Sequence, residues 1–386
     1  MGDISPLRSA GISPPASKII ALEATRGLAS FVVFFHHFTL AFMPTLREVV
    51  RTNPWLFWPF GWLFNGSAAV NFFFVLSGFV LTRKFFLTGD ARIIFEGMLK
   101  RLPRLYLPVA ASILLALALI LLEIEWHQEA AMQTGSLWLA NAGNANRPED
   151  FLPSLITAVR ESFLVFLLPH NFTYNGNLWT MLIEFYGSIG CFIAALLMRR
   201  YLMRHMLLSA LLIAAICWIG LQLHLFLFYM ASFLVGTYLA QLSVKGIELP
   251  SVLRAPTAIL AVFLCSSHNP MLQLVASLLL VVSLSAMRKP PVFLAGTFGK
   301  VLGRLSFPVY LLHTILLVSL SSWLWLTLVD ADWETGTVAA TTFALTALAT
   351  LLISIPFAWL DEFWVRAVGQ AVNRHTLSAL SMSKPR

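Results

Sequence analysis

Residues 21–43 read ALEATRGLASFVVFFHHFTLAFM, an apolar run long enough to cross a lipid bilayer. Similar runs recur along the chain, of which 58% is hydrophobic and only 11% is charged. A soluble domain carries about 25% charged residues, so this composition excludes an ordinary cytoplasmic enzyme. Most of the chain must therefore face lipid or other apolar helices.

Ten apolar stretches, bounded by charged residues, glycine or proline, predict about ten transmembrane helices. The expected fold class is therefore all-α, a polytopic membrane helix bundle. The stretches are 20–42, 62–82, 105–122, 178–198, 205–222, 225–243, 256–268, 271–287, 305–328 and 336–360. The stretch 256–268 is short enough to be re-entrant or to merge with its neighbour. Residues 155–168 contain Arg160 and Glu161 and are expected to lie at the membrane interface.

The basic residues predict the orientation, because short cytoplasmic loops carry an excess of Lys and Arg. With the N-terminus inside, 22 of the 26 basic residues fall on the cytoplasmic side. The expected topology is N-in and C-in, with polar cytoplasmic tails at 1–19 and 361–386 and a membrane domain at 20–360. A membrane thus explains the net charge of +8 better than a nucleic acid does. The cell or inner membrane is favoured, and an organelle membrane is the alternative.

Polar side chains form a stripe along the first span. Arg26 and His37 are 11 residues apart, just over three helical turns, so they lie within about 20° of each other around the axis. Glu23 falls on the same stripe, whereas His36 is rotated by about 80° and faces another neighbour. Ionisable groups inside a span usually face a protein interior or a wet cavity, and imidazole suits general-base catalysis near neutral pH. The stripe predicts a functional site; the structural alternative is a buried histidine, with Arg26 reaching the headgroups.

Basic residues cluster after the second span, in a predicted loop at 83–104. The cluster comprises Arg83, Lys84, Arg92, Lys100, Arg101 and Arg104. It binds either anionic lipid headgroups or a phosphate-bearing ligand, and the sequence leaves both open. In the preceding span, the small residues Ser77 and Gly78 are expected to allow close helix packing.

A carboxylate lies within another span, in the segment NGNLWTMLIEFYGS at 175–188. Glu184 follows Trp179 by about one and a half turns, and Thr180 lies one turn before it on the same face. An isolated carboxylate there must be paired, protonated or hydrated. It can pair with Arg26 or another cation, or it can orient His37 or a substrate hydroxyl.

The segment GRLSFPVYLLHT at 303–314 places Ser306, Tyr310 and His313 on one helical face. Hydrogen bonding between helices is a sufficient role for them. A second catalytic imidazole at His313 is the other interpretation.

Together these segments resemble the acyltransferase type three family of multi-span membrane proteins. The likeness runs from about residue 20 to about residue 320. The family signature of a basic residue, ten intervening residues and a histidine is Arg26 to His37 here. Also similar are FFVLSGF at 73–79, KRLPRLYLP at 100–108, and the segments at 179–184 and 306–313. Many members have an LWSLSVEEQFY type of segment where this chain has LWTMLIEFYGS, so Glu184 is retained but Phe185 follows it.

The resemblance implies an integral membrane O-acyltransferase that moves an acyl group, commonly acetyl, to a hydroxyl of a sugar, polysaccharide or small metabolite. The implied donor is acetyl-CoA or another acyl-CoA, with no metal and no nucleic acid. His37 is expected to be the general base or a transient acyl carrier, with Glu184 or Glu23 fixing its tautomer. A transporter or flippase for a polar lipid or sugar is the alternative, because polar residues within spans also line substrate pathways.

The other site residues follow from the polar segments described above together with the resemblance. The implied donor-binding residues are Arg26, Arg83, Lys84, Arg101 and Arg104. The residues expected to bind the acceptor or to support the site are Glu23, His36, Ser77, Trp179, Thr180, Ser306, Tyr310 and His313.

Overall fold

The structure, a computed structural model, describes residues 16–202, 205–247, 249–287 and 291–382, and these residues form helices joined by turns and loops. The ten long helices are α1 (Ala16–Phe42), α2 (Gly66–Thr88), α3 (Arg92–Leu121), α4 (Trp179–Leu197), α5 (Met206–Leu223), α6 (Leu225–Val244), α7 (Ser251–Leu264), α8 (Pro270–Ala286), α9 (Thr297–Leu316) and α10 (Thr335–Met382). Shorter helices are Pro44–Thr52, Pro54–Phe60, Gly61–Phe64, His127–Thr134, Leu137–Ala140, Leu155–Leu164, Gly176–Leu178, Met198–Leu202, Val292–Ala295, Leu317–Ser321 and Ser322–Asp330. The all-α membrane fold class is confirmed. The predicted tail at 1–19 lies largely outside the described residues, which begin with the first turn of α1.

Seven helices in the described part of the chain are long and apolar enough to cross a membrane. An eighth is counted if α1 and the short helix Pro44–Thr52, which meet at a bend of 110°, are taken as one span. Helices α7 and α8 have 14 and 17 residues, fewer than the roughly 20 that a span needs. Each of the ten predicted stretches overlaps one long helix. The count of ten and the N-in, C-in topology stay predictions.

The predicted loop at 83–104 is wrong, because helices occupy most of it. Helix α2 continues to Thr88, and α3 begins at Arg92. Gly89 ends α2 with a φ of 75°, a conformation that favours glycine. The Asp90 carboxylate then accepts a hydrogen bond of 3.0 Å from the backbone N–H of Arg92, which starts α3. The basic cluster therefore lies on the ends of two helices joined by a tight turn.

Three further predictions concern individual segments: 155–168, 256–268 and the tail at 361–386. Helix Leu155–Leu164 has 10 residues and is about 15 Å long, too short to cross a bilayer. Helices α7 and α8 are separate, so 256–268 does not merge with its neighbour. Helix α10 runs without a break through residue 360, so 361–382 extend the last span as helix. The division into domains stays a prediction.

Helices α1 and α9 pack closely, and their pairing positions the polar stripe. A Cβ added to Gly27 or Gly303 would overlap the facing helix, so both glycines permit this approach. The two helices run in the same direction, because later residues of α1 meet later residues of α9. We call the end of the bundle near Arg26 the basic end and the end near His37 the histidine end.

Candidate active site

The guanidinium of Arg26 is held by α9 at the basic end. Its Nε donates to the Ser306 hydroxyl at 2.9 Å, and its Nη2 donates to the Gly303 carbonyl at 3.2 Å. The Ser306 hydroxyl in turn donates to the same carbonyl at 2.8 Å. Arg26 is therefore anchored to a neighbouring helix rather than extended toward lipid headgroups.

The carboxylate of Glu184 pairs with Arg101, also at the basic end. Arg101 is only 6% exposed, and its Nε donates to the Ser188 hydroxyl at 2.9 Å. The Ser77 hydroxyl donates to Glu184 at 3.2 Å. Of the roles left open for Glu184, the structure therefore shows pairing with a cation. The hypothesis that Glu184 orients His37 is wrong.

A cavity of about 470 Å³ lies among these groups, within the roughly 300–1,000 Å³ range of small-molecule sites. Five cations and three carboxylates from the described residues line it, together with apolar side chains. The cations are Arg26, Arg83, Lys84, Arg101 and Arg104, and the carboxylates are Glu23, Glu184 and Asp361. All five predicted donor-binding residues therefore face one space, although they come from helices α1, α2 and α3.

Tyr310 and Thr180 line the cavity on the side of the histidines. The Tyr310 hydroxyl lies 2.8 Å from the Thr180 hydroxyl and donates to the Asn177 carbonyl at 3.1 Å. The Asn177 amide Nδ2 donates to the Tyr310 carbonyl at 3.1 Å and lies 3.2 Å from Nε2 of His313. Neither His37 nor His313 is among the described residues that line the cavity. Tyr310 therefore separates the cavity from the histidines.

His37 is hydrogen-bonded to His313 of α9. Its Nδ1 lies 2.9 Å from Nε2 of His313, and the rings are nearly parallel, with an interplanar angle of 13°. Nδ1 of His313 lies 3.0 Å from the Val309 carbonyl. Because a carbonyl only accepts, this Nδ1 carries the proton, and Nε2 of the neutral ring has the lone pair. His37 therefore donates from Nδ1, which leaves a lone pair on its own Nε2.

That second nitrogen of His37 is open. Nε2 has no hydrogen-bond partner among the described residues, and the side chain is partly exposed. Trp138 stacks on the ring with centroids 4.9 Å apart and an interplanar angle of 20°. The expectation that Glu184 or Glu23 fixes the tautomer is wrong, because His313 takes that position and Glu23 lies exposed at the cavity.

His36 faces a different neighbour, as its rotation around the helix predicts. Its Nδ1 donates to the Phe64 carbonyl at 2.5 Å. Its ring centroid lies 5.1 Å from that of His37. His36 therefore lies beside His37 without bonding to it.

Trp179 is not brought to the cavity. Its ring packs against Tyr229, with centroids 5.7 Å apart. Two members of the basic cluster also lie elsewhere, since Lys100 pairs with Glu96 at 2.7 Å and Arg92 is exposed. Within the described ranges, no three His, Cys, Asp or Glu side chains are grouped as metal ligands would be.

Sequence reasoning missed two residues of this site. Asn177 stands in an Asn-Gly-Asn turn at the start of a span, and Asp361 directly follows the last apolar stretch. A polar residue that adjoins an apolar span is the signal by which both could have been found. Trp138 lies in the long connection at 123–177, whose aromatic side chains are expected either to contact a polar acceptor such as a sugar or to anchor the chain at the membrane interface.

Comparison with protein families identifies the class of this protein. The family model described as an acyltransferase domain, of the type 3 acyltransferases, matches residues 19–359. The chain therefore belongs to the acyltransferase type 3 family and is a membrane acyltransferase, which confirms the resemblance found in its sequence. No curated protein and no solved structure matched the chain.

Proposed function

We propose that the protein is an O-acyltransferase that takes an acyl group, acetyl in the simplest case, from acyl-CoA bound at the basic end. The acceptor is a hydroxyl of a sugar, glycan or small metabolite at the histidine end. The observation that carries this proposal is the cavity at the basic end, into which five cations converge. CoA bears a diphosphate and a further phosphate, and arginine binds phosphate through charge-assisted, often bidentate hydrogen bonds.

A soluble phosphate ligand accounts for this cavity better than lipid headgroups do. Arg101 is almost completely buried, so it is poorly placed to reach a headgroup in the surrounding bilayer. Arg26 and Arg101 are held in place by Ser306 and Glu184. Because these guanidinium groups are ordered before the ligand arrives, less conformational entropy is lost on binding.

His37 is the proposed general base. As the acceptor oxygen attacks the thioester carbonyl, Nε2 of His37 takes the hydroxyl proton. The C–S bond of the tetrahedral intermediate then breaks, and the leaving thiolate takes the proton from the imidazolium. The products are the ester and free CoA, and His37 returns to its neutral form. His313, through its Nε2, holds His37 in the tautomer that this step requires.

The donor thioester must pass Tyr310 to reach His37, because Tyr310 lies between the cavity and the histidine pair. Rotation of the Tyr310 side chain breaks its hydrogen bond to Thr180 and joins the two sites. In the second possible route His37 carries the acyl group transiently. An acylated His37 trapped in the absence of acceptor distinguishes this route from direct transfer.

The test incubates purified protein with acetyl-labelled acetyl-CoA and a panel of hydroxylated sugars and metabolites, and measures labelled ester and free CoA. Wild-type protein is expected to acylate at least one member of the panel, and His37→Ala to acylate none. The control is His205→Ala, since His205 is an exposed histidine outside the site. Ester formation by His37→Ala at the wild-type rate would reject the assignment of the base.

A further inference from the structure

An arginine that faces only neutral groups lies beside the two histidines. Arg47 belongs to helix Pro44–Thr52, which bends away from α1 by 110°. Its Nη1 lies 3.1 Å from Nδ1 of His36, 3.2 Å from the Phe64 carbonyl, 3.3 Å from the Thr39 hydroxyl and 3.4 Å from the His36 carbonyl. Each of these groups is uncharged when the imidazole is neutral.

Two other arginines on the predicted outer side, Arg51 and Arg147, have carboxylate partners, and a third, Arg160, is exposed. Arg51 is bound by both oxygens of Glu48, at 2.9 and 2.7 Å. Arg147 is bound by both oxygens of Glu125, at 2.8 Å each. Arg47 has no carboxylate within salt-bridge distance among the described residues, although it is half-buried. Partial burial of a cation without a counterion is unfavourable, and a bound anion offsets that cost.

The edge of the Arg47 guanidinium that binds oxyanions best has no partner among the described residues. All hydrogen bonds of the guanidinium to described residues are made by Nη1. Nε and Nη2 have no partner there, and neither is fully buried. These two nitrogens form one edge of the guanidinium and bind both oxygens of a carboxylate or phosphate at once.

The distance from Arg47 to the proposed base suits a small acceptor. Arg47 contacts the His36 ring, and that ring lies 5.1 Å from the ring of His37. Arg47 and His37 therefore both lie against the ring of His36. A single sugar-sized molecule can place a hydroxyl at His37 and an anionic substituent at Arg47.

We infer that Arg47 recognises the acceptor, and that the acceptor is a hydroxyl compound bearing a carboxylate or a phosphate. This inference rests on the proposed function, because it places the acceptor at the histidine end. A phosphate of a membrane lipid offers the same chemistry as a soluble phosphate, so the test includes both sources.

The test measures binding by thermal unfolding of the purified full chain in a maltoside detergent, which carries no phosphate. Glucuronate is compared with glucose, and glycerol 3-phosphate with glycerol, at equal ionic strength. We expect an anionic compound to bind at least about tenfold more tightly than its neutral partner, the size of one charge-assisted hydrogen bond. Arg47→Gln is expected to lose this preference, and Arg51→Gln, on the same helix, to keep it. Arg47→Lys keeps the positive charge but lacks the two adjacent N–H groups, so it is expected to retain part of the preference for the anionic compound.

Equal binding of anionic and neutral compounds by the wild type, or a preference retained by Arg47→Gln, would overturn the inference. Acetyl-CoA binding at the basic end serves as the check that Arg47→Gln is folded. Repeating the measurement in phosphatidylglycerol nanodiscs distinguishes a soluble anion from a lipid phosphate. If soluble anions no longer bind there, the lipid headgroup is the ligand of Arg47, and the acceptor assignment is overturned. Binding requires no turnover. Failure of this test with CoA release intact therefore leaves the proposed function standing. An anion preference without CoA release rejects the proposed function and leaves only an anion site at Arg47.

Discussion

Nδ1 of His37 lies 2.9 Å from Nε2 of His313, which is itself bonded through Nδ1 to the Val309 carbonyl at 3.0 Å. The carbonyl end of this chain of hydrogen bonds can only accept, so it sets the proton on each ring in turn. The result is a lone pair on the exposed nitrogen of His37. His313 of α9 thus fixes the tautomer of His37 of α1, the proposed base.

Substitution of His313 tests this positioning role. His313→Leu removes the acceptor for the Nδ1 proton of His37, and we expect kcat to fall by about 100-fold or more, as for loss of general-base catalysis. His313→Gln places an amide oxygen near the position of Nε2, so its loss is expected to be smaller. The measurement is kcat and KM for acetyl-CoA. Equal losses in both variants, or a change confined to the donor KM, would contradict the role.

The pair of Arg101 and Glu184 is expected to matter for stability as well as for donor binding. Its side chains are 7% and 16% exposed, so Glu184→Gln leaves a buried cation without its counterion. A loss of about 3–5 kcal/mol in the free energy of unfolding is expected. Glu362→Gln is the matched control, because its pair with Arg304 is 45% and 42% exposed and is expected to contribute less than about 1 kcal/mol. Thermal unfolding of the two variants in detergent compares them, and equal losses would argue against the account.

Ser306 is expected to act on donor binding through Arg26. Ser306→Ala removes the hydrogen bond that holds Nε of Arg26, which contributes about 1 kcal/mol. The KM for acetyl-CoA is expected to rise by roughly fivefold, with kcat unchanged. Arg304→Gln serves as the control, since Arg304 lies two residues away and pairs with Glu362 outside the cavity. A fall in kcat at constant KM would place Ser306 in a different role.

Glu161 is expected to make stability depend on pH. Its carboxylate is 6% exposed and accepts bonds from the backbone N–H groups of Thr173 and Tyr174 at 3.0 and 3.1 Å. Burial raises the pKa of Glu161, while these hydrogen bonds act in the opposite direction. A raised carboxyl pKa means that the folded state binds the proton more tightly than the unfolded state. The contribution of Glu161 to stability is therefore greatest below its ordinary pKa and is lost as the pH rises through the raised value.

Thermal unfolding of wild type and Glu161→Gln, from about pH 4 to about pH 8, measures this effect. The stability of the wild type relative to Glu161→Gln is expected to decrease as the pH rises and then to level off. A difference that is independent of pH, or that increases with pH, would contradict the sign.

Helical periodicity was sufficient to relate residues within one helix. It placed Arg26 and His37 on one face, and both contact α9. It also predicted that His36 faces a different neighbour, which is the Phe64 carbonyl. Periodicity carries no information about which helices pack together. Glu184 was therefore considered as a partner of His37, a position that the structure gives to His313.

Hydropathy located the apolar part of each span but not the ends of the helices. The basic residues at 83–104 interrupt the apolar pattern, so they were predicted to form a loop, yet helix continues on both sides of Gly89. Hydrogen bonding within a helix does not stop where its side chains become charged. Arg83 and Arg101 line the same cavity because this tight turn brings their helices together. A hydropathy profile of the sequence does not show that arrangement.

The central claim is that the cavity at the basic end binds acyl-CoA and that His37 performs the chemistry. The decisive experiment compares His37→Ala with Arg26→Ala. For each variant it measures the affinity for acetyl-CoA and the rate of acceptor-dependent CoA release. We predict that His37→Ala keeps wild-type donor affinity and loses CoA release, whereas Arg26→Ala binds the donor at least about tenfold more weakly. Donor affinity unchanged in Arg26→Ala, together with CoA release retained in His37→Ala, would contradict this claim.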